Sequence, residues 1–215
     1  MENSAVRMIA KMILANKMEV LLVRQYYDGN SDRFYLRNVL TGDLQEIMIS
    51  AKYVEEKYTH YFFDDVNIDF TQVYQVLDAY GLSETLQYTP LLNDPEFMKV
   101  NYYDGHDLGS TYYPDYTVFK VWAPTALEVK VMVKKNHEFI SYDMKRVENG
   151  VFSLYLSGDY DNCEYLYQVR HHDSFINALD PYAYSSSANG RSSIIIDLNK
   201  CMIDLNRQYL KQIGR

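Results

Sequence analysis

The sequence predicts an all-β protein built from two immunoglobulin-like β-sandwich domains in tandem. Short stretches rich in β-branched and aromatic residues recur along the chain, and polar turns separate them about every ten residues. Apolar and polar residues alternate within these stretches, whereas sustained helical periodicity is missing. The chain has 215 residues, of which 47% are hydrophobic, so it is long enough for two domains with apolar cores.

The clearest strand is predicted at Thr117–Ala123, within the stretch DLGSTYYPDYTVFKVWAPTA at 107–126. Pro124 ends this strand, because proline has no N–H to donate to a strand ladder. A second alternating strand follows at 127–134, so the two form a tight corner around the proline. Alternation predicts one face formed by Phe119, Val121 and Ala123 and an opposite face formed by Val118, Lys120 and Trp122.

The first domain is predicted over residues 1–98. It opens with a hairpin, whose strands Met8–Leu14 and Glu19–Val23 flank a polar turn at 15–17. A helix is the rival interpretation of the first arm, which contains good helix formers. The β-branched run in the second arm and the lack of a strong N-cap favour strands. Further strands are predicted at Phe34–Leu40, Leu44–Lys52, Tyr58–Phe63 and Thr71–Asp78.

A short connector is predicted at 89–94, because two prolines occur within six residues and the flank is polar. The second domain follows at 99–205, and 206–215 is interpreted as a linker toward a catalytic barrel. Glu148-Asn149-Gly150 is a strong hairpin signal, because asparagine and glycine tolerate positive φ. In addition to the two strands at the corner, strands are predicted at His137–Met144, Val151–Leu156, Glu164–Arg170 and Ser193–Leu198.

Composition excludes some classes of binding partner and indicates the cellular compartment. The formal net charge is −8 and no Lys/Arg cluster occurs, so the sequence predicts binding to neither nucleic acid nor an anionic membrane. No apolar run is long enough to span a bilayer, and the first twenty residues lack a signal-peptide layout. A cytoplasmic protein is therefore expected, with its two cysteines, Cys163 and Cys201, as free thiols.

Three side-chain clusters suggest chemistry, but each is better explained as part of a loop. His171-His172-Asp173 would point to opposite faces of a strand, which favours a solvated loop over a metal site. Ser185–Ser187 lacks the glycines of a nucleophile elbow. Asp64, Asp65 and Asp69 lack the glycine and terminal glutamate of a calcium loop. The sequence therefore predicts no catalytic residue, no metal site and no cofactor.

An ordered set of short motifs runs through the second domain. It begins with Tyr102-Tyr103-Asp104-Gly105, Leu108-Gly109 and TVFKVWAPTA, and continues with Gly150-Val151-Phe152, Gly158-Asp159, DPYA at 180–183 and Asn189-Gly190 before IIIDL. This set resembles the family-48 carbohydrate-binding module that precedes the catalytic barrel of bacterial type I pullulanases, over about residues 100–198. Asn162 departs from the usual glycine, but asparagine tolerates the same left-handed turn. Residues 1–98 resemble the extra N-terminal module of these enzymes more weakly, by position and strand pattern.

The resemblance implies a non-catalytic accessory region of an α-1,6-glucan debranching enzyme, a glycoside hydrolase. Such a region binds or positions α-glucan (glycogen, pullulan or maltooligosaccharides) for the enzyme's own (β/α)₈ catalytic domain. Hydrolysis needs two carboxyl groups held across the glycosidic bond, and the pullulanase signature YNWGYDP does not occur in the chain. The activity therefore belongs to a catalytic domain expected after residue 205.

Trp122 and Asn189 are the predicted carbohydrate-binding residues. Trp122 is the single tryptophan and is placed on the solvent face of its strand, where an aromatic ring can stack on the apolar face of a pyranose. Related glycogen-binding modules carry a sugar-stacking tryptophan at what looks like this position, and an asparagine before the last strand that Asn189 matches. The alternative is a purely structural scaffold that packs on the catalytic domain without binding sugar.

Overall fold

The computed structural model describes residues 7–172 and 174–201, and β-strands dominate these residues. The helix α1 (Pro95–Val100) has six residues, and residues 198–201 are also helical. No described helix is long enough to cross a lipid bilayer. Short 3₁₀ turns occupy Tyr27–Gly29, Thr89–Asn93 and Glu148–Gly150. The predicted all-β fold class is confirmed. The predicted linker at 206–215 lies outside the described residues.

The described residues divide into two compact units. Unit 1 contains the chain up to Tyr102 together with two short segments, Pro124–Leu127 and Arg170–Phe175, and unit 2 contains the rest. Leu91 and Phe97, which lie in and just after the predicted connector, are buried in the core of unit 1. The domain boundary after residue 98 remains a prediction.

Unit 1 has two antiparallel four-stranded sheets, which we name sheet A and sheet B. Sheet A has the strand order β1-β2-β6-β5, and sheet B has the order β4-β3-β7-β8. Their inward residues, such as Met12, Leu22 and Phe34, share one apolar core. In chain order the strands are β1 (Met8–Leu14), β2 (Lys17–Val23), β3 (Phe34–Asn38), β4 (Leu44–Ile47), β5 (Ala51–Val54), β6 (Tyr58–Phe63), β7 (Tyr74–Asp78) and β8 (Ser83–Thr85).

The predicted strands of unit 1 are confirmed in part. The opening hairpin forms as predicted, so the helical alternative is wrong, and β6 has the predicted bounds. The single strand predicted at Leu44–Lys52 is wrong. The chain leaves sheet B after Ile47 and enters sheet A at Ala51, because β4 pairs with β3 whereas β5 pairs with β6.

Unit 2 also has two antiparallel sheets. Sheet C has the order β13-β14-β10-β9, and sheet D has the order β12-β11-β15-β16, with β17 also pairing with β15. The strands are β9 (Gly109–Tyr113), β10 (Tyr116–Trp122), β11 (Glu128–Lys135), β12 (Glu138–Asp143), β13 (Lys145–Arg146), β14 (Val151–Ser157), β15 (Glu164–Arg170), β16 (Phe175–Ala178) and β17 (Ser193–Ile194).

The corner after β10 carries the chain from sheet C to sheet D. Strands β10 and β11 are consecutive in sequence, but β10 pairs with β9 and β14 whereas β11 pairs with β12. Phe119 and Val121 of β10 are buried, and so is Val131 of β11. The predicted alternation of both strands is therefore confirmed, and the buried faces contribute to the core of unit 2.

Two turns of unit 2 behave as their residue types predict. Asn149 and Gly150 have φ values of 53° and 73°, and the Val147 N–H donates to the Val151 carbonyl across this turn. Asn162 has a φ of 61°, the left-handed conformation expected where glycine is usual. These turns fix where β14 and β15 begin.

Candidate functional site

Trp122 is the last residue of β10, at the edge where sheet C meets the Asn149-Gly150 turn. It pairs with Val151 of β14, and the next residue, Ala123, donates its N–H to the Gly150 carbonyl at 2.9 Å. The indole is half-buried and lies on the face of β10 opposite Phe119 and Val121. The predicted outward face of Trp122 is confirmed.

Lys120 lies on the same face as Trp122, and the sequence prediction did not select it. Its ammonium is paired with the Asp107 carboxylate, which also accepts a hydrogen bond from the Tyr103 hydroxyl. The hydrogen bond from Lys120 and then that from Tyr103 lower the pKa of Asp107, and the same bond to Asp107 raises the pKa of Lys120. The Lys120 ammonium, which Asp107 holds in place, therefore lies two residues along β10 from the Trp122 indole, on the same face.

Three tyrosines extend this face across sheet C. The ring of Tyr116 stacks on Tyr113 of β9 with centroids 4.4 Å apart, and on Tyr155 of β14 with centroids 4.6 Å apart. Tyr113 is 43% exposed and Tyr155 is 62% exposed, so the row lies at the surface. The strand rise places Tyr116 about 20 Å from Trp122 along β10. We name these residues, Tyr113, Tyr116, Lys120, Trp122 and Tyr155, the outer face of sheet C.

Asn189 lies in a different part of unit 2. It is exposed in the loop before β17, a strand that pairs with the first residues of β15 in sheet D. Its side-chain oxygen accepts from the Ser187 hydroxyl at 2.9 Å and from the Arg191 N–H at 3.3 Å. The contacts of Asn189 in the described chain hold its own loop and do not link it to Trp122. A role for either residue in sugar binding stays a prediction.

A buried carboxylate anchors the start of the segment that leads to Asn189, and it was not predicted as structural. Asp180 is 6% exposed and accepts hydrogen bonds from the hydroxyls of Tyr165 at 2.5 Å and Tyr167 at 3.4 Å. It also accepts from the Tyr182 N–H at 2.8 Å, and its own N–H donates to the Ser193 hydroxyl. Burial raises the pKa of Asp180. The contacts tie residues 180–193 to β15.

The histidine pair predicted as loop does not form a joint site. His171 contacts the Thr125 carbonyl through Nδ1 at 3.3 Å, whereas His172 contacts Glu84 through Nε2 at 2.7 Å. The third member of the cluster, Asp173, lies outside the described residues. Among residues 7–172 and 174–201, no group of three histidine, cysteine or acidic side chains is arranged to hold a metal ion.

Comparison with known proteins places this outer face within a recognised module. Residues 107–183 match the family model of carbohydrate-binding module 48, described as the isoamylase N-terminal domain. A pullulanase of Bacillus subtilis strain 168 is 31% identical over 144 residues, which are 66% of this chain and 20% of that protein. Pullulanase 1 of Arabidopsis thaliana, a chloroplastic protein, is 34% identical over 110 residues, which are 45% of this chain and 11% of that protein.

Solved structures agree over nearly the whole chain. Pullulanase from Anoxybacillus sp. LM18-11, in complex with maltotriose, has a TM-score of 0.81 and 27% identity, covering 90% of this chain and 28% of that one. Type I pullulanase from Bacillus subtilis str. 168, in complex with maltose, has a TM-score of 0.82 and 26% identity, covering 92% of this chain and 28% of that one. The chain matches the N-terminal region of a pullulanase. The resemblance found in the sequence is therefore confirmed.

The match to the carbohydrate-binding module includes one of the two predicted site residues and leaves out the other. Trp122, Lys120 and Asp107 lie inside the matched stretch 107–183, as do the three stacked tyrosines. Asn189 lies beyond it. The chain spans about a fifth of the length of the Bacillus subtilis pullulanase and about a tenth of that of the Arabidopsis protein. The outer face of sheet C is therefore the part of the candidate site that belongs to the matched module.

Proposed function

We propose that this chain is an accessory region of an α-1,6-glucan debranching enzyme and that it binds α-glucan and positions it for the catalytic domain. The observation that carries the proposal is the outer face of sheet C, where Trp122 and Lys120 lie side by side within the carbohydrate-binding module match. The proposed ligands are glycogen, pullulan and maltooligosaccharides, and the proposed partner is the catalytic domain of the same enzyme.

The chemistry of this face suits a pyranose. A pyranose ring has an apolar side made of C–H groups and a rim of hydroxyls. The Trp122 ring offers an apolar surface, and Lys120 offers N–H donors to hydroxyl oxygens. An aromatic contact adds on the order of 1 kcal/mol beyond area burial, and a rim hydrogen bond adds about 1 kcal/mol. These contributions support weak binding, with a dissociation constant on the order of 0.1–1 mM.

A second candidate function is a scaffold that packs on the catalytic domain without binding sugar. Two observations favour it. The Trp122 indole is half-buried rather than fully open, and the stacked rings of Tyr113, Tyr116 and Tyr155 cover one another's faces. Exposed apolar patches often mark protein contacts. In this function the outer face of sheet C becomes buried in the longer enzyme.

Titration of the 215-residue protein with maltoheptaose separates these functions. Trp122 is the single tryptophan, so its fluorescence reports one site, and calorimetry on Trp122→Ala gives the energetic test. We expect Trp122→Ala to weaken binding at least tenfold, and we expect Lys120→Gln, which removes the charged donor beside the indole, to weaken it by about threefold. The matched control is Tyr102→Ala, which removes an aromatic ring that is 68% exposed outside this face.

Each outcome of this titration is informative. Wild-type binding that survives Trp122→Ala unchanged would place the site away from the outer face of sheet C. A wild-type protein that binds no maltoheptaose at all would support the scaffold function. A loss of binding in Trp122→Ala that Tyr102→Ala does not share supports the proposed glucan site.

A further inference from the structure

A cavity of about 980 Å³ opens in unit 1 at the end of β2. The Val23 N–H donates to the Arg7 carbonyl at 2.9 Å, and the Arg24 N–H donates to the Lys57 carbonyl at 3.0 Å. Arg7 and Lys57 therefore flank the end of β2 from opposite sides, although they are far apart in sequence. A volume of this order accommodates a small molecule. The lining residues are Arg7, Val23, Gln25, Tyr26, Tyr27, Lys57 and Tyr58.

The charged lining of this cavity is cationic. The side chains of Arg7 and Lys57 are exposed, and in the part of the chain that the structure describes neither forms an ion pair. Strand spacing puts their backbones about 10 Å apart across β2, so both long side chains can reach one ligand over its end. None of the seven lining residues is acidic, although the chain as a whole has a net charge of −8. Two cations without a carboxylate partner favour an anionic ligand.

Two stacked tyrosine rings stand at this cavity. The Tyr27 ring stacks on Tyr80, with centroids 3.9 Å apart and planes 7° apart, and it meets Tyr26 edge-on at 4.9 Å. Tyr26 is only 6.2 Å from Tyr80, so it lies beside the stacked pair and not over the face of Tyr27 that points away from Tyr80. Because Tyr27 is 58% exposed and lines the cavity, this free face of its ring can receive a further flat ring.

The loop that presents Tyr27 is held by the strand beneath it. Tyr27 and Asp28 have φ values of 45° and 53°, a conformation that non-glycine residues keep only when their surroundings enforce it. The buried Tyr61 hydroxyl donates to the Gly29 carbonyl at 2.9 Å, and a Cβ at Gly29 would overlap with Thr59 Oγ1. A ring that is held in place before binding loses little conformational entropy when a ligand stacks on it.

Both cations lie close to the aromatic lining. Burial, followed by the Asp78 carboxylate, raises the pKa of Tyr26, whereas Arg7 acts in the opposite sense, so the guanidinium lies near this ring. Asp78 itself is 3% exposed, so this carboxylate is buried away from a ligand. The Lys57 ammonium lies 5.1 Å from the centroid of the Tyr58 ring. Positive charge and aromatic surface are therefore adjacent on both sides of the cavity.

We propose that this cavity of unit 1 binds a nucleoside diphosphate such as ADP. The base stacks on the free face of Tyr27 as a third layer, and the two phosphate groups contact Arg7 and Lys57. The Gln25 amide, which can donate and accept, bonds the edge of the base. A single nucleotide suits the site better than a polynucleotide, because a net charge of −8 repels a long phosphate chain. The proposal does not rest on glucan binding by unit 2.

Calorimetric titration of the 215-residue protein with ADP, adenosine and pyrophosphate tests this site. Adenosine carries the base without the charge and pyrophosphate carries the charge without the base, so we expect ADP to bind about tenfold more tightly than either. Raising the salt concentration from about 50 mM to about 500 mM should weaken ADP binding about threefold, because salt screens the two exposed cations. No binding of ADP would overturn the proposal. Pyrophosphate that binds as tightly as ADP would also overturn it, in favour of an anion site without a base.

Replacement of the stacked ring gives the sharpest variant. Tyr27→Asn removes the ring but keeps a residue type that tolerates positive φ. The matched control is Tyr53→Asn, because both tyrosines are 58% exposed and only Tyr27 of the two lines the cavity. We expect Tyr27→Asn to weaken ADP binding about tenfold without changing pyrophosphate binding, and Tyr53→Asn to change ADP binding less than about twofold. Thermal unfolding of each variant checks that the fold is kept.

Lys57→Gln keeps the test decisive if Tyr27→Asn fails to fold. The matched control is Lys99→Gln, because Lys99 is an exposed lysine of α1 that does not line the cavity. We expect Lys57→Gln to weaken the binding of both ADP and pyrophosphate about fivefold, and Lys99→Gln to change either by less than about twofold. ADP binding that is unchanged in Lys57→Gln, and in Tyr27→Asn where that variant folds, would overturn the proposal.

Trp122→Ala separates this proposal from the proposed glucan site. Trp122 belongs to unit 2, so we expect ADP to bind this variant within about twofold of wild type, whether or not the protein binds maltoheptaose. Complete loss of ADP binding in Trp122→Ala would overturn the proposal, because binding would then depend on the outer face of sheet C. The two proposals can therefore fail separately.

Discussion

Among the described residues, unit 1 and unit 2 each contain two tyrosines that are at most 1% exposed, but the hydroxyls of the two pairs meet different acceptors. Tyr61 and Tyr88 in unit 1 are 0% exposed, and Tyr165 and Tyr167 in unit 2 are at most 1% exposed. In unit 1 the acceptors are neutral carbonyl oxygens, whereas in unit 2 the acceptor is the carboxylate of Asp180.

The neutral arrangement of unit 1 holds loops to strands. The Tyr61 hydroxyl donates to the Gly29 carbonyl and accepts from the Ser31 N–H at 3.0 Å, so one side chain satisfies two backbone groups. The Tyr88 hydroxyl donates to the Gln72 carbonyl at 3.0 Å. The backbone carbonyls that accept from these two hydroxyls have no titratable proton, unlike a carboxylate.

The hydrogen bonds of unit 2, whose acceptor is a carboxylate, are stronger than those of unit 1, and their strength depends on the protonation of that carboxylate. Hydrogen bonds to charged groups contribute about 1.5–3 kcal/mol, against about 0.5–1.5 kcal/mol for neutral pairs. Burial raises the pKa of Asp180 even though Tyr165 and Tyr167 donate to it, and burial followed by the nearby carboxylate raises the pKa of Tyr167. The comparison teaches that buried tyrosine hydroxyls stabilise both units, but of these four tyrosines only Tyr165 and Tyr167 donate to a group that can carry charge.

The largest expected effect is that of Asp180→Ala. This substitution removes the acceptor shared by two buried hydroxyls and by the Tyr182 N–H, and we expect it to lower the free energy of unfolding by about 3 kcal/mol. Urea unfolding followed by Trp122 fluorescence measures the loss, since Trp122 lies in unit 2.

Asp159→Ala is the matched control for Asp180→Ala. Asp159 also accepts a tyrosine hydroxyl, from Tyr112 at 2.9 Å, but it is exposed. Water replaces the lost acceptor there, so we expect a much smaller loss of stability than for Asp180→Ala. Equal losses would show that burial of the carboxylate does not decide its contribution.

A smaller loss of stability is expected when a tyrosine hydroxyl is removed instead of its acceptor. Tyr165→Phe loses a bond to a carboxylate, and we expect a loss of about 2 kcal/mol in the free energy of unfolding. Tyr61→Phe loses bonds to neutral backbone groups, and we expect about 1 kcal/mol. Urea unfolding followed by far-ultraviolet circular dichroism compares the two variants. A Tyr61→Phe loss as large as that of Tyr165→Phe would remove the distinction between neutral and charged acceptors.

The smallest expected effect is on the pH dependence of the free energy of unfolding. Because the pKa of Asp180 is raised in the folded state above its ordinary value of 3.8, folding is favoured by protonation of this group. The stabilisation that protonation of Asp180 adds is complete below pH 3.8 and is lost as pH rises through the folded pKa. The unfolding free energy of wild type should therefore fall relative to Asp180→Asn over this window.

Comparing wild type with Asp180→Asn cancels the carboxylates that titrate in the opposite sense. Glu164, for example, has a lowered pKa because Lys134 and Ser192 donate to it, and it is present in both proteins. Unfolding measured from pH 3 upward at fixed ionic strength gives the difference curve. A difference that stays flat, or that rises in favour of wild type, would contradict the raised pKa of Asp180.

Much of the fold could be predicted from local pattern. The alternation of β10 correctly placed Phe119 inside and Trp122 outside, and Asn149-Gly150 correctly marked the turn before β14. The stretch Leu44–Lys52 was predicted wrongly, because alternation continues across a point where the chain changes sheets. Residue pattern identifies a strand, but it does not identify the strand with which it pairs.

The candidate site could be predicted only in part, for the same reason. Trp122 was found because its face follows from its position in one strand. The row of Tyr113, Tyr116 and Tyr155 was missed, since it exists only when β9, β10 and β14 lie side by side in one register. A cavity of about 980 Å³ in unit 1 was missed because its lining comes from three chain segments, around residues 7, 25 and 57.

The sequence by itself determined the all-β class, the turns with positive φ and the faces of the strong strands, because these depend on neighbouring residues and on steric preferences of single residue types. Tertiary structure alone decided which tyrosines stack, which carboxylate is buried beneath Tyr165 and Tyr167, and where a cavity opens. Those features depend on contacts between residues far apart in the chain, and the free energy of such contacts is set by burial and packing that no local pattern encodes.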